Sequence, residues 1–236
     1  MAPGDACYAF LLTPQGRIVA DLELVCLADH FLIDVEPETR EKVRQQILKY
    51  KVADQVELED VTEATTAIGV EGPEAPRIAV AEGGYTVAPF TVTGQPGYRI
   101  YAPAAAREEI VRHLDAAGAV AAGAEEARTV RIENGKPRYG EDILETSLPQ
   151  ETGQMQAVSF QKGCYIGQEI VERIRVRGHV NRRLVRLEME GNEVPAPGKQ
   201  MIGGQEADVT SAVYSPELGR VVVLGYVRAG GQEGRS

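Results

Sequence analysis

The first fifty residues alternate short apolar runs with turn residues. Cys7–Leu12 predicts a buried strand, and Thr13–Gly16 predicts a turn because it combines proline and glycine. Arg17–Val25 and Phe31–Val35 predict two further strands, so the segment is expected to form a meander. Pro37–Tyr50 mixes apolar with charged residues, acidic early and basic late, which predicts an amphipathic surface helix.

The pattern in the middle of the chain predicts a second lobe. Val56–Val61 alternates like a short strand, and Thr65–Val70 begins another. Tyr85–Thr93 and Gly97–Ala102 alternate like the two strands of a hairpin. Pro103–Gly118 carries apolar residues on one face and ends in glycine, so it predicts a helix.

The last third of the chain predicts a return to the first lobe and then a separate β domain. Val130–Glu133 predicts a strand or short helix that re-enters the first lobe. Short strands divided by glycine and proline turns predict a small all-β barrel. These strands are Leu184–Met189, Gln205–Val213 and Arg220–Val227. The expected fold class is α+β, with residues 1–64 and 125–177 in the first lobe, residues 65–124 in the second, and residues 178–236 in the barrel.

Composition narrows the class of protein. The 236 residues are 43% hydrophobic, enough for one or two domains with a sizeable core. Apolar runs are too short to cross a bilayer, and the N-terminus lacks a signal-peptide pattern, so no membrane contact is expected. The odd number of widely spaced cysteines favours a reducing cytoplasm. Neither C-x-x-C nor H-E-x-x-H occurs, so no metal site is predicted.

The net charge of -10 argues against general nucleic-acid binding, but the charge is uneven. Six arginines lie between Arg173 and Arg186. One interpretation is that these arginines lie on a solvent-exposed strand face and pair with nearby glutamates. The alternative is a local binding site for an anionic polyglutamate tail or an RNA backbone.

One stretch carries the clearest chemistry. Lys162–Glu169 holds Cys164 between two glycines and beside a lysine. Gly163 and Gly167 open backbone conformations closed to other residues and let a ligand approach. The charge of Lys162, and the free N–H groups of any helix that follows Gly167, favour the reactive thiolate. The alternative is a tight turn around a buried, inert cysteine.

Lys162–Glu169 resembles the K-G-C-[FY]-x-G-Q-E signature of the YgfZ family, the folate-binding, iron–sulfur-maintenance branch of the glycine-cleavage T-protein (GcvT) superfamily. Further segments resemble family blocks in family order, so the resemblance covers nearly the whole chain. These segments are Gly16–Asp21, Thr93–Ile100, Ile132–Ile143 and Leu148–Glu151.

The resemblance implies a GcvT-like fold whose lobes surround a channel for tetrahydrofolate or a derivative. It also implies that an N-terminal element usual in the family is missing here, which leaves a sheet edge to be covered. The implied partners are folate and iron–sulfur client enzymes, including those that modify tRNA, and the protein is expected to be a monomer.

The resemblance also suggests site residues. Glu133 matches the pterin-binding glutamate of the T-protein family, and Asp21 matches an acidic position that faces folate. Arg17 is expected on the same strand face as Asp21, where an Arg–Asp ion pair is the simpler explanation. Tyr98 and Tyr139 are candidate stacking residues or, alternatively, core aromatics with bonded hydroxyls. Tyr165 completes the predicted folate set, and Cys164 with Lys162 forms the predicted reactive pair.

Differences from the T-protein pattern distinguish between the possible functions. Ala20 replaces the first of two paired acids, and Cys164 stands where T-proteins lack a cysteine. These differences favour a folate-binding accessory protein for iron–sulfur enzymes over an aminomethyltransferase-like one-carbon transfer enzyme. A relative that binds nothing is a third possibility. Whether the thiolate attacks a one-carbon unit, contacts a client's cluster or exchanges disulfides stays open.

Overall fold

The computed structural model describes residues 1–52, 55–79 and 83–230. Its strands and helices, in chain order, are β1 Ala6–Leu12, β2 Ile18–Cys26, β3 Phe31–Asp34, α1 Arg40–Tyr50, β4 Thr65–Glu71, β5 Thr86–Ala88, β6 Gly97–Pro103, α2 Arg107–Ala116, α3 Ala124–Glu133, α4 Gln168–Arg177, β7 Arg182–Met189, β8 Gly198–Ile202, β9 Gln205–Ser215 and β10 Arg220–Arg228. The chain divides into two compact units, unit 1 (Met1–Ile47 with Pro137–Ser236) and unit 2 (Leu48–Lys136). None of the described helices is long and apolar enough to span a membrane.

The first sheet of unit 1 is the antiparallel meander β1-β2-β3. Strand alternation sends Ala20 and Leu22 of β2 to one face, where they pack against Val43 of α1. Leu12 of β1 and Ile18 of β2 lie in a different cluster, which also contains Tyr139, Ile143 and Val171. The three predicted strands are therefore confirmed to within one or two residues.

A four-stranded antiparallel sheet, in the order β7-β10-β9-β8, forms the C-terminal part of unit 1. Its core is aliphatic and includes Val209, Val221 and Val223. The buried Asp142 carboxylate accepts hydrogen bonds from Thr210 Oγ1 and Ser211 Oγ of β9, both at 2.6 Å. The three predicted C-terminal strands are confirmed, and β8 is an additional edge strand.

Unit 2 is built on the antiparallel sheet β4-β6-β5, whose core includes Ile100 of β6 and Ile110 and Leu114 of α2. The predicted hairpin exists, but its first strand covers only Thr86–Ala88. Gly97 is required where β6 begins, because a Cβ there would lie 2.2 Å from the Val70 carbonyl oxygen.

Three local predictions need correction. Val56–Val61 is irregular and not a strand, because it pairs with no other described strand despite its alternation. Val130–Glu133 is the last turn of α3, so the short-helix alternative is confirmed, but the segment belongs to unit 2 and not to the first lobe. The helices predicted at Pro37 and Pro103 begin with short 3-10 turns, Pro37–Thr39 and Ala104–Ala106, and become α-helical afterwards.

The α+β class and a small C-terminal sheet domain are confirmed. The three-part domain division stays a prediction, and its last six residues, 231–236, lie outside the described part of the chain.

Candidate functional site

Gly167 fixes the end of the cysteine motif against the β1–β2 turn. It precedes the first residue of α4 and has a φ of 84°, which favours glycine. A Cβ on Gly167 would lie 2.6 Å from the Thr13 carbonyl oxygen and 3.1 Å from the Cα atom of Gly16. This glycine therefore permits close approach of the protein's own backbone, and the segment that follows it is helical.

Cys164 is exposed, so the alternative of a buried, inert cysteine is wrong. Gly163 beside it would meet no atom within 4 Å if it carried a Cβ. Lys162 places its Nζ atom 4.9 Å from the centroid of the Tyr165 ring, a cation–π geometry. The motif thus presents its thiol at the surface while Lys162 lies over an aromatic ring.

Tyr165 packs with its ring against the cluster that contains Ile18 and Val171. Its Oη atom is buried and has no hydrogen-bond partner among the described residues. Burial raises the pKa of the Tyr165 hydroxyl, and the nearby Glu172 carboxylate adds to that shift. A buried unpartnered hydroxyl is unfavourable unless another group satisfies it.

Asp21 lies on β2, and its Oδ2 atom accepts a hydrogen bond of 2.9 Å from the Tyr8 hydroxyl of β1. Burial raises the pKa of the Asp21 carboxyl; the Tyr8 hydrogen bond and Arg138 oppose this shift, and Glu36 reinforces it. The pKa of Tyr8 is raised by its own burial and by the charge of Asp21. Asp21 is thus a half-buried acid that resists ionisation, a feature common at functional sites.

Arg17 does not pair with Asp21. A β-bulge between β1 and β2, where Leu11 faces Ala20 and Leu12 faces Ile18, leaves Val19 as an extra residue. The bulge interrupts the alternation from which a shared face of Arg17 and Asp21 was predicted. Arg17 Nη1 instead donates a hydrogen bond to the Thr146 carbonyl oxygen.

Tyr139 is buried in the unit 1 core, and its hydroxyl accepts a 3.1 Å hydrogen bond from Lys42 Nζ. The same lysine forms an ion pair with Glu145. Arg138, the preceding residue, binds Glu36 at 2.7 Å. These contacts tie the segment that resembles the family's E-x-G-x-P-x-Y-G-x-D block to the start of α1.

The remaining predicted folate residues lie in unit 2. Tyr98 donates a 2.7 Å hydrogen bond to the Ile78 carbonyl oxygen and packs against the unit 2 core, as expected of a core aromatic. Glu133 is half-buried and is the last residue of α3. A carboxylate there faces the negative end of the helix dipole, an unfavourable position. Tyr98 and Glu133 thus belong to unit 2, and Asp21, Arg17, Tyr139 and Tyr165 to unit 1.

The loop before β6 is held by side chains that the sequence did not single out. Glu71, the last residue of β4, accepts hydrogen bonds from the backbone N–H groups of Val92 at 2.7 Å and Thr93 at 2.8 Å. Asn134 Nδ2 donates to the Thr93 carbonyl oxygen at 2.9 Å. Glu71 and Asn134 are far from this loop in sequence, so its hydrogen bonds to them were not predicted. The position of Asn134 directly after Glu133 was the one sequence signal that could have marked it as a candidate residue.

The arginine-rich segment is largely neutralised by acidic neighbours. Its ion pairs are Arg173–Glu169, Arg175–Glu172, Arg182–Glu151 and Arg186–Glu188. Arg175 also stacks on Phe160, and Arg182 stacks on Tyr226. This pairing agrees with the interpretation as a paired surface.

Known proteins resemble this chain at both ends and along its length. Residues 1–84 match the GCVT N-terminal domain family, and residues 182–236 match the glycine cleavage T-protein C-terminal barrel domain family. An aminomethyltransferase from Rubrobacter xylanophilus is 30% identical over 250 residues, covering 96% of this chain and 67% of that protein. One from Nostoc sp. is 29% identical over 257 residues, covering 96% and 68%.

A solved structure has the same fold, which confirms the predicted GcvT-like fold. The crystal structure of the glycine cleavage system aminomethyltransferase T from Bartonella henselae matches with a TM-score of 0.79 at 20% sequence identity. The match covers 97% of this chain and 69% of that one.

Proposed function

Because this chain belongs to the glycine cleavage T-protein family, we propose that it binds tetrahydrofolate or a derivative and supports iron–sulfur enzymes in the manner of the YgfZ branch. The observation that carries the YgfZ assignment is the exposure of Cys164 within Lys162–Glu169. The two fixed features beside it, the Gly167 turn and the Lys162–Tyr165 contact, hold the thiol at the surface.

The residues present fit a reduced folate. In unit 2, the Glu133 carboxylate is an acceptor for pterin N–H groups and Tyr98 is a partly exposed aromatic; in unit 1, Asp21 is a second acceptor. Tyr139 is buried with its hydroxyl bonded to Lys42, so its ring offers no surface for stacking. The buried, unpartnered Tyr165 hydroxyl is an additional donor that a ligand would satisfy. A bound folate would supply a carrier for one-carbon units, and these side chains would bind and orient it.

Cys164 is the residue that we expect to act on a client. One cysteine is too few to hold an iron–sulfur cluster, so any cluster would be shared with the client enzyme, including enzymes that modify tRNA. We propose a cytoplasmic location, because the cysteine usage suits a reducing compartment, and we propose that the protein acts as a monomer.

Calorimetric titration with tetrahydrofolate or its 5-formyl form tests the folate proposal. Wild-type protein should bind saturably, and Glu133→Ala should bind more weakly. A folded wild-type chain that binds neither form refutes folate binding. The cysteine proposal is tested separately: Cys164→Ala should keep its fold and folate affinity but lose support of client enzymes. Full client activity with this variant would refute it.

Aminomethyl-type one-carbon transfer is the second candidate. It is favoured by the named aminomethyltransferases that match 96% of the chain, and by the half-buried Asp21 carboxyl with its raised pKa. Turnover of a methylamine-type donor with tetrahydrofolate, lost in Asp21→Asn, would support it. Absence of product across a panel of such donors would count against it.

A further inference from the structure

The loop Thr91–Thr93 lies between β5 and β6, and its last residue is the first of the segment that resembles the T-protein motif, Thr93–Ile100. It is not part of a strand, yet Thr93 is only 8% exposed. The side chain of Val92 points outward and is 45% exposed. The loop therefore presents an apolar side chain at the surface of unit 2. Because the loop is not in a sheet, its backbone N–H and C=O groups need other hydrogen-bond partners.

Glu71 supplies most of those partners. One carboxylate oxygen accepts from Val92 N–H, and the other accepts from both Thr93 N–H and Thr93 Oγ1. Bonds to a charged acceptor are stronger than those between neutral groups. Glu71 thus has both oxygens engaged with the loop, and its role is to hold backbone.

The carbonyl groups of the same loop are held from the other side. Lys136 Nζ donates to the Thr91 carbonyl oxygen, and Asn134 Nδ2 donates to that of Thr93. Asn134 Nδ2 also donates to the Val130 carbonyl oxygen in α3, at 3.0 Å. The loop is therefore joined to the end of α3, where Glu133 lies.

We infer that Glu71 is a positioning residue for the pterin contact proposed at Glu133 in unit 2: it fixes the Thr91–Thr93 loop, which Asn134 joins to the end of α3, so that the pterin meets a preformed surface. This inference rests on the proposed folate binding. Preorganisation of this kind strengthens binding because the loop loses little freedom when the ligand arrives.

The test compares Glu71→Gln with Glu74→Gln in the full chain. Gln keeps the size of the side chain but cannot accept all three hydrogen bonds. Glu74 is a matched control, because it is an exposed glutamate of unit 2 whose ion-pair partner among the described residues is Arg77, three residues away. We expect Glu71→Gln to bind tetrahydrofolate about tenfold more weakly, the size of a lost charge-assisted hydrogen bond. Glu74→Gln should stay within about twofold of wild type.

A ligand fragment separates positioning from general instability. At a temperature where circular dichroism shows each variant fully folded, Glu71→Gln should lose the same factor for 6-hydroxymethylpterin as for tetrahydrofolate. Its affinity for p-aminobenzoylglutamate should not change. Equal losses for both fragments would indicate a structural defect and overturn the inference.

Thr93→Val provides a second variant if Glu71→Gln does not fold. It removes the hydrogen bond that the Thr93 hydroxyl donates to Glu71 and the one that it accepts from Gln95 N–H at 3.2 Å, but leaves both backbone hydrogen bonds to Glu71 in place. It should therefore weaken pterin binding by a smaller factor. Wild-type affinity in the folded Glu71 and Thr93 variants overturns this inference alone. A wild-type chain that binds no folate overturns the proposed function and this inference together.

Discussion

Replacing Gly167 by alanine should destabilise unit 1 more than any other single-methyl addition in the cysteine motif. A residue other than glycine at a φ of 84° costs roughly 1–2 kcal/mol. The new Cβ would also lie 2.6 Å from the Thr13 carbonyl oxygen, an overpacking that typically costs about 1–3 kcal/mol. We therefore expect a loss of about 3 kcal/mol in the free energy of unfolding.

Gly163→Ala is the matched control within the same motif. Gly163 lacks a positive φ, and its Cβ would meet no atom within 4 Å. Its replacement should leave stability unchanged or raise it by about 0.4–1 kcal/mol, because the unfolded chain becomes less flexible.

Thermal and urea unfolding of both variants measures the difference. A loss of about 3 kcal/mol in a domain of this size lowers Tm by roughly 6–12 °C. Both variants should keep an accessible Cys164, which a thiol reagent can verify. If Gly167→Ala unfolds at the same temperature as Gly163→Ala, the argument from φ and close approach is wrong.

Three further predictions concern the thiols and the buried acids. A thiol reagent should label exposed Cys164 first and buried Cys26 last, which mass mapping of a time course checks; the reverse order would contradict the described exposure. Asp21→Asn should raise Tm at pH 7, because the raised pKa of Asp21 means that its ionised form is unfavourable in the folded state. This gain in Tm should shrink as the pH falls toward about 3.9, the ordinary pKa of Asp, because the wild-type carboxyl is then protonated. A gain in Tm that does not depend on pH would contradict the prediction. Asp142→Ala leaves the buried Ser211 hydroxyl and the Arg138 N–H without their acceptor, whereas the Thr210 hydroxyl keeps the Leu224 carbonyl oxygen at 3.1 Å. We expect a loss of about 3–5 kcal/mol in the free energy of urea unfolding, and a loss below about 1 kcal/mol would show that water replaces the carboxylate.

The sequence predicted the first sheet well because its signals are local. Cys7–Leu12 and Phe31–Val35 are apolar runs rich in β-forming residues, and Thr13–Gly16 has the composition of a turn. The structure places β1 and β3 within one residue of those limits. The exposure of Cys164 could not be predicted from the sequence, because a cysteine flanked by glycines is compatible with a buried turn and with a surface turn.

Long-range partners explain the errors. Val56–Val61 alternates like a strand, but a strand forms only where another strand offers hydrogen bonds. β8, at Gly198–Ile202, was missed because polar residues dilute the alternation of an edge strand. The prediction that Arg17 and Asp21 share a strand face was wrong, because a β-bulge interrupts the alternation and its position depends on the pairing register with β1. Glu71 was missed because its partners lie more than twenty residues ahead.

The division of unit 1 between the two ends of the chain has a consequence for synthesis on the ribosome. Unit 1 needs both Met1–Ile47 and the segment that begins at Pro137, whereas unit 2 is continuous. At about 5–20 residues per second, the first meander must wait several seconds after leaving the ribosome before its core partners Tyr139 and Val171 exist. During this interval the face that carries Leu12 and Ile18 is available to chaperones, and the nascent chain can complete unit 2 first. The rate-limiting event for this protein is therefore expected to be the late closure of unit 1, which a circular permutant joining its two segments would accelerate.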